Sequence, residues 1–211
     1  MFTPEIMDDP SLSEEDIQRT HRDLTRTHWW LGNTHAILRA LTRDPLPVRR
    51  VLDVGCGRGD LLAEIRNRFG VDVIGVDLRP PGEEYAPVPI LRADAVRDPL
   101  PKADIAVCVC LAHHLLESEL VALIRNVGRS CRRLVLLDLV RHPLPLVLFH
   151  VFVAPFLSRI NAVDGRISIR RAYTAAELRA LVEAALDGSS AGYSQSVSPV
   201  FARQVIDICW Y

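Results

Sequence analysis

Apolar positions follow two rhythms along this chain. Up to about residue 42, Ile17, Leu24, Trp30, Leu31, Ile37, Leu38 and Leu41 recur at helical spacing with charges between them, which predicts one or two helices over about 11–42. Gly32-Asn33 breaks that run, and Ser13-Glu14-Glu15-Asp16 approximates a capping box at its start. After the proline-rich connection Arg43-Asp44-Pro45-Leu46-Pro47, short continuous apolar runs alternate with amphipathic segments. The runs predict strands near 50–55, 73–77, 89–92, 103–110, 132–139, 191–197 and 203–209. The segments between them predict helices at about 60–69, 82–86, 116–129 and 174–186. Strands that alternate with helices and carry apolar residues on both faces imply an α/β fold with a largely parallel sheet covered on both sides.

The first strand runs into Asp53-Val54-Gly55-Cys56-Gly57-Arg58-Gly59-Asp60, and the second, Val73-Ile74-Gly75-Val76-Asp77, ends in a carboxylate. Closely spaced glycines let a chain turn sharply and bring its backbone against a ligand that a Cβ would obstruct. An ionised carboxylate at the next strand end offers only acceptors, which suits the two hydroxyls of a ribose. The spacing Gly55-x-Gly57-x-Gly59 departs from the G-x-G-x-x-G of dinucleotide sites, and G-x-x-x-x-G-K-[ST] is absent. Asp60, on the first helical turn, would repel a pyrophosphate and suits a cationic ligand.

These residues closely resemble the first two motifs of class I S-adenosylmethionine-dependent methyltransferases. Ile90-Leu91-Arg92-Ala93-Asp94-Ala95 and Ala103 to Leu111 extend the resemblance, which covers about residues 48–140 by motif. It implies a seven-stranded Rossmann-like sheet in the order 3-2-1-4-5-7-6, with strand seven antiparallel, and S-adenosyl-L-methionine as cofactor. It implies cofactor contacts from Asp53, Gly55, Cys56, Gly57, Gly59, Asp60, Asp77, Leu78, Asp94, Ala95 and Leu111, with Asp94 on the adenine amino group. It also implies a helical lid over residues 1–45, with His28, Trp29 and Trp30 at the mouth, on a catalytic domain over 46–211. An insert at about 141–171, after strand five, is where such enzymes often build their acceptor pocket.

Composition narrows the setting. A chain of 211 residues accommodates one well-buried domain with a modest appendage, and a net charge of -1 lacks the basic excess that tracking a nucleic-acid backbone requires. Five cysteines without a C-x-x-C read as reduced thiols, with Cys108 and Cys110 expected on one face of a buried strand. A zinc site from Cys108, Cys110, His113 and His114 conflicts with the apolar strand, so no metal is expected. The N-terminus, Met1 to Asp9, carries neither a basic region nor a continuous apolar core, so a cytoplasmic location is expected. The apolar stretch Pro143 to Leu157 is shorter than the roughly 20 residues of a membrane span and is interrupted by His150 and three prolines.

His113 and His114 directly follow strand four, at the sheet edge where open α/β folds bind ligands, and are the candidate general bases. The structural alternative is that one caps the helix starting near Glu117 while the other packs on the sheet. His28, Trp30, Arg141 and His150 are the candidate acceptor contacts; Arg141 and Arg170 are placed to hold a carboxylate, and His142 is a weaker base. The apolar insert either lines the acceptor pocket or packs on the sheet or on a second copy in a homodimer. The expected acceptor is a small apolar or aromatic molecule, such as a phenol, quinone precursor or polyketide, methylated on oxygen or carbon. Methylation of nitrogen or of a macromolecule, and a non-catalytic cofactor-binding subunit, are the alternatives. Cys110-Leu111-Ala112-His113 stands where enzymes methylating amino groups of adenine or glutamine carry Asn/Asp-Pro-Pro-Tyr/Phe, and there is no Pro-Cys pair to mark a cytosine C5 nucleophile.

Overall fold

The computed structural model describes Glu5, Ile6 and residues 14–211. Two helices lead, α1 (Glu14–Trp30) and α2 (Asn33–Leu41), separated at Gly32, whose φ of 74° only glycine adopts readily. The capping signal at Ser13 lies outside the described residues. The sheet follows as β1 (Arg50–Val54), β2 (Asp72–Asp77), β3 (Ile90–Arg92), β4 (Ile105–Val109), β5 (Arg133–Leu139), β6 (Ala191–Val197) and β7 (Arg203–Trp210). Its order is β3-β2-β1-β4-β5-β7-β6, parallel throughout except that β7 runs antiparallel to both neighbours. Strand order reverses between β1 and β4, the place where open α/β sheets bind ligands beyond their strand ends.

Side-chain alternation sends neighbouring strand residues into two separate cores. Val51, Val73, Ile105, Val107, Val135 and Leu137 face α2 and α3 (Asp60–Phe69), meeting Ile37, Leu38, Leu41, Leu62 and Ile65. Leu52, Val54, Val76, Ala106, Leu134, Leu136, Ile206 and Ile208 face α4 (Glu117–Gly128) and α7 (Ala175–Leu186), meeting Leu120, Leu123, Ile124, Leu178 and Val182. Truncating one such leucine to alanine costs about 2–5 kcal/mol. The apolar half of α2 is thus part of the core. At the far end of the sheet, Arg133 bonds Asp207 and Asp44 at 2.6–2.9 Å, tying the linker after α2 to β5 and β7.

Between β5 and α7 the insert folds as α5 (Pro143–Leu148), a π turn (Phe149–Val153), a 3-10 turn (Ala154–Phe156) and α6 (Arg159–Arg171). Helix α6 has no apolar stripe; it buries Asn161, Asp164 and Ser168 at helical spacing, capped by the Ser158 hydroxyl. Gly165 is needed there because a Cβ would lie 2.3 Å from Phe149 Cζ. Leu144, Val147, Val151, Phe152 and Phe156 stay exposed, with Trp30 edge-on to Phe156 at 6.4 Å.

One expectation is overturned at β4. Cys108 points into the α4/α7 core, but Cys110 is not its companion on the same face. The strand ends at Val109, and Cys110 adopts a left-handed φ of 55°, which turns its side chain against the opposite core. No helix is long and apolar enough to cross a membrane among the described residues.

Candidate active site

The turn after β1 is held by its own backbone. Gly55, Gly57 and Gly59 all have positive φ. A Cβ on Gly55 would lie 2.9 Å from Leu111 Cδ2, and one on Gly59 would lie 2.6 Å from Val88 Cγ2, so close packing requires glycine at both positions. The Asp77 carboxylate crosses from β2 to this turn, accepting the Gly57 N–H at 2.8 Å and the Arg79 N–H at 2.8 Å. Asp53 is buried beneath them; burial first, then the charge of Asp77, pushes its carboxyl up to about 7. Cys56 packs against Gly75, and burial with the two aspartates raises its thiol well above the usual range, so it is unreactive near neutrality.

Asp60 opens α3 and accepts the Thr25 hydroxyl of α1 at 2.9 Å, with Arg58 at 3.7 Å. Arg22, Asp23, Thr25 and Arg26 of α1 and Arg58 and Asp60 line a cleft of about 370 Å³. Helix α1 therefore faces the glycine turn. Asp94 organises the turn after β3, accepting the Val96 N–H at 2.9 Å and pairing with Arg97 at 2.7 Å. Burial would raise its pKa, but the Val96 N–H and Arg97 hold the carboxyl below its usual range. Ala95 packs against the α4/α7 core and Leu111 against Gly55, while Leu78 is exposed. A larger groove of about 500 Å³ runs between α4 and α7 and is lined by neither the glycine turn nor a histidine.

Beyond β4 and β5 a second polar group assembles. The left-handed Cys110 bends the chain into a 3-10 turn, Ala112–His114, that presents both histidines. The Asp138 carboxylate, near the end of β5, accepts the His113 N–H at 3.0 Å and the ring Nδ1–H at 2.6 Å, leaving Nε2 turned toward Glu5. Burial alone would lower the His113 pKa; the charge and hydrogen bond of Asp138, with Glu5, more than offset it and the net direction is upward. The His113 and His114 rings are 4.3 Å apart. Glu5 lies 3.8 Å from each Nε2, accepts the Ser168 hydroxyl at 2.7 Å and has Arg171 at 3.5 Å. Burial raises the Glu5 pKa, against the lowering pull of Ser168, His113 and Arg171. His28 of α1 is pushed down to about 4 by burial and then by His113, so it is neutral near pH 7.

The structure thus brings together His28, His113 and His114, and adds three residues that the sequence did not single out: Glu5, Asp138 and Arg171. It sets other candidates apart. Arg141 pairs with Glu177 on the surface, Arg170 and His150 are exposed, and His142 stacks on Phe201 at 4.3 Å. Capping of α4 falls to Glu119, which accepts the Leu116 N–H at 2.9 Å, and not to a histidine. Thr174 and Glu177 cap α7 reciprocally.

Residues 51–133 match the family model described as "Methyltransferase domain". No curated protein matches the chain by sequence. Among solved structures, the chain is similar to the plantazolicin methyltransferase BpumL in complex with a pentazolic desmethylPZN analog and SAH, at 14% identity and TM-score 0.69, covering 93% of this chain and 91% of that one. It is similar to the mitomycin 7-O-methyltransferase MmcR at 18% identity and TM-score 0.59, covering 92% of this chain and 60% of that one. It is also similar to human N-acetylserotonin methyltransferase in complex with SAM, at 15% identity and TM-score 0.60, covering 91% of this chain and 55% of that one.

Proposed function

We propose that this chain, a class I S-adenosylmethionine-dependent methyltransferase, transfers its methyl group to the oxygen or carbon of a small apolar or aromatic acceptor such as a phenol, quinone precursor or polyketide. The observation that carries this reading is the glycine turn with the Asp77 carboxylate facing it. Asp77 is taken as the ribose partner and Asp60 as a favourable charge toward the cationic sulfonium. Asp53, Cys56, Leu78, Asp94, Ala95 and Leu111 complete the proposed cofactor surroundings, and α1 serves as the lid.

Transfer is an in-line displacement. The acceptor atom attacks the methyl carbon as the carbon–sulfur bond breaks, leaving neutral S-adenosylhomocysteine, while the acceptor's proton passes to an imidazole. The driving force resides in the sulfonium, so the protein chiefly aligns the partners and excludes water. His113, oriented by Asp138, and His114 are the proposed bases, worth roughly 10²–10⁴-fold in rate. The neutral His28 and the Trp30–Phe156 pair are assigned to the acceptor side. The exposed Arg141 and His150 are assigned to its outer rim.

Methylation of a peptide-borne acceptor is the second reading, favoured by the near-complete two-way cover with the plantazolicin enzyme. Methyl-labelled S-adenosylmethionine offered with phenols, quinone precursors and azole-bearing peptides separates the two. The expected result is label in the phenolic or quinone-type acceptors, with the His113→Ala, His114→Ala double variant at least 100-fold slower. Label confined to the peptides, or full activity in the double variant, would remove the first reading.

A further inference from the structure

The ring nitrogens of His113 and His114 and a carboxylate oxygen of Glu5 all lie within 4.8 Å of one another. Both histidines direct Nε2 at the same carboxylate, each at 3.8 Å. Donors around a tetrahedral zinc ion stand about 3.3 Å apart, so placing all three on one ion would shorten the 3.8 Å separations by about 0.5 Å and the widest separation in the cluster by up to about 1.5 Å. The outer surroundings are those of a metal-bound imidazole. Asp138 receives the other ring N–H of His113 at 2.6 Å, which fixes the tautomer and leaves Nε2 as the donor atom. The Ser168 hydroxyl and Arg171 hold Glu5 Oε1, while Oε2 is the oxygen turned toward His114. His113 and Glu5 are buried, and the His114 side chain, 28% exposed, marks the path from solvent. Two imidazoles and one carboxylate are a donor set that suits divalent first-row ions, and with three protein ligands it leaves a coordination position open.

We propose that Glu5, His113 and His114 form a site for a divalent transition-metal ion, zinc in the first instance, whose open position takes an oxygen of water or of the acceptor. The site stands on side-chain geometry alone; only the acceptor oxygen in the open position rests on the methyl-transfer reading. Loading the ion takes up both Nε2 atoms, so the histidines serve as bases only in the ion-free protein; with the ion bound, the acceptor's proton passes to water.

Cobalt(II) titrated into the chelator-stripped full chain, followed by visible absorption and then by zinc displacement, tests the site. One cobalt per chain with a tetrahedral spectrum is expected. Glu5→Gln and His114→Ala should each weaken binding at least tenfold, and Asp138→Asn about 10–100-fold, with circular dichroism checking that each variant is folded. Added phenol should perturb the spectrum, and an unchanged spectrum would remove the acceptor assignment. Absence of stoichiometric cobalt, or affinity indifferent to Glu5→Gln and His114→Ala, would overturn the ion site. S-adenosylhomocysteine calorimetry on the same metal-free protein keeps the two readings separate: nucleoside binding without cobalt removes only the ion, and cobalt binding without nucleoside removes only the cofactor assignment.

Discussion

Two polar groups at the carboxyl edge of this sheet are built in opposite ways. The glycine turn and Asp77 come from one stretch of 53–77, joined by left-handed glycine backbone whose Gly57 N–H bonds the Asp77 carboxylate. The histidine cluster draws on Glu5, His28, the turn after β4, the end of β5 and the last residues of α6, and it consists of largely buried titratable side chains in mutual contact. The first owes its shape to local conformation and leaves little room for a Cβ at Gly55 and Gly59. The second owes its shape to topology, and each member depends on its partners to offset the cost of burial.

That difference can be broken by substitution. The largest effect is expected at Asp138→Ala, which leaves the buried His113 ring without its acceptor and should cost about 3–5 kcal/mol in urea unfolding. A loss below 1 kcal/mol would mean that the cluster does not support itself through that pair. Next is the glycine turn's own buried carboxyl, Asp53. Its carboxyl titrates near 7 when folded and near 3.8 when unfolded, so the native state holds the proton more tightly between those values. Stability from this group is therefore full below about pH 4 and is lost as pH rises to 7, by on the order of 4 kcal/mol. Asp53→Asn should flatten the unfolding profile across that window, and an unchanged slope would place the pH dependence elsewhere. Smaller still is Gly59→Ala, where left-handed strain of about 1–2 kcal/mol adds to the approach of Val88. Its signature is a loss of S-adenosylhomocysteine affinity exceeding the loss of stability, with the cluster's histidine NMR signals unmoved.

The same contrast explains what could be read before folding. Strand runs and the glycine turn rest on short-range pattern, whereas the seven-stranded order is what the resemblance implies, and the sheet takes that order. Asp138 carried a signal that went unused: a lone carboxylate inside the apolar run Arg133 to Leu139, buried because it serves His113. Helix α6 does not show in apolar periodicity because most of its buried stripe, Asn161, Asp164 and Ser168, is polar. Those residues meet the Thr20 carbonyl, the Ile6 N–H and Glu5, partners more than 130 positions away. Cys110 could not be placed by strand alternation because the strand stops one residue before it.

Calorimetric titration of S-adenosylhomocysteine into the full chain and into Asp77→Asn tests the central claim, that the turn at Gly55–Gly59 with Asp77 is the cofactor site. One molecule per chain is expected, with affinity at least tenfold weaker in the variant, because the amide keeps an acceptor for the Gly57 N–H but loses the charged acceptor for the ribose. No binding by the native chain, or equal affinity in the two proteins, would contradict it.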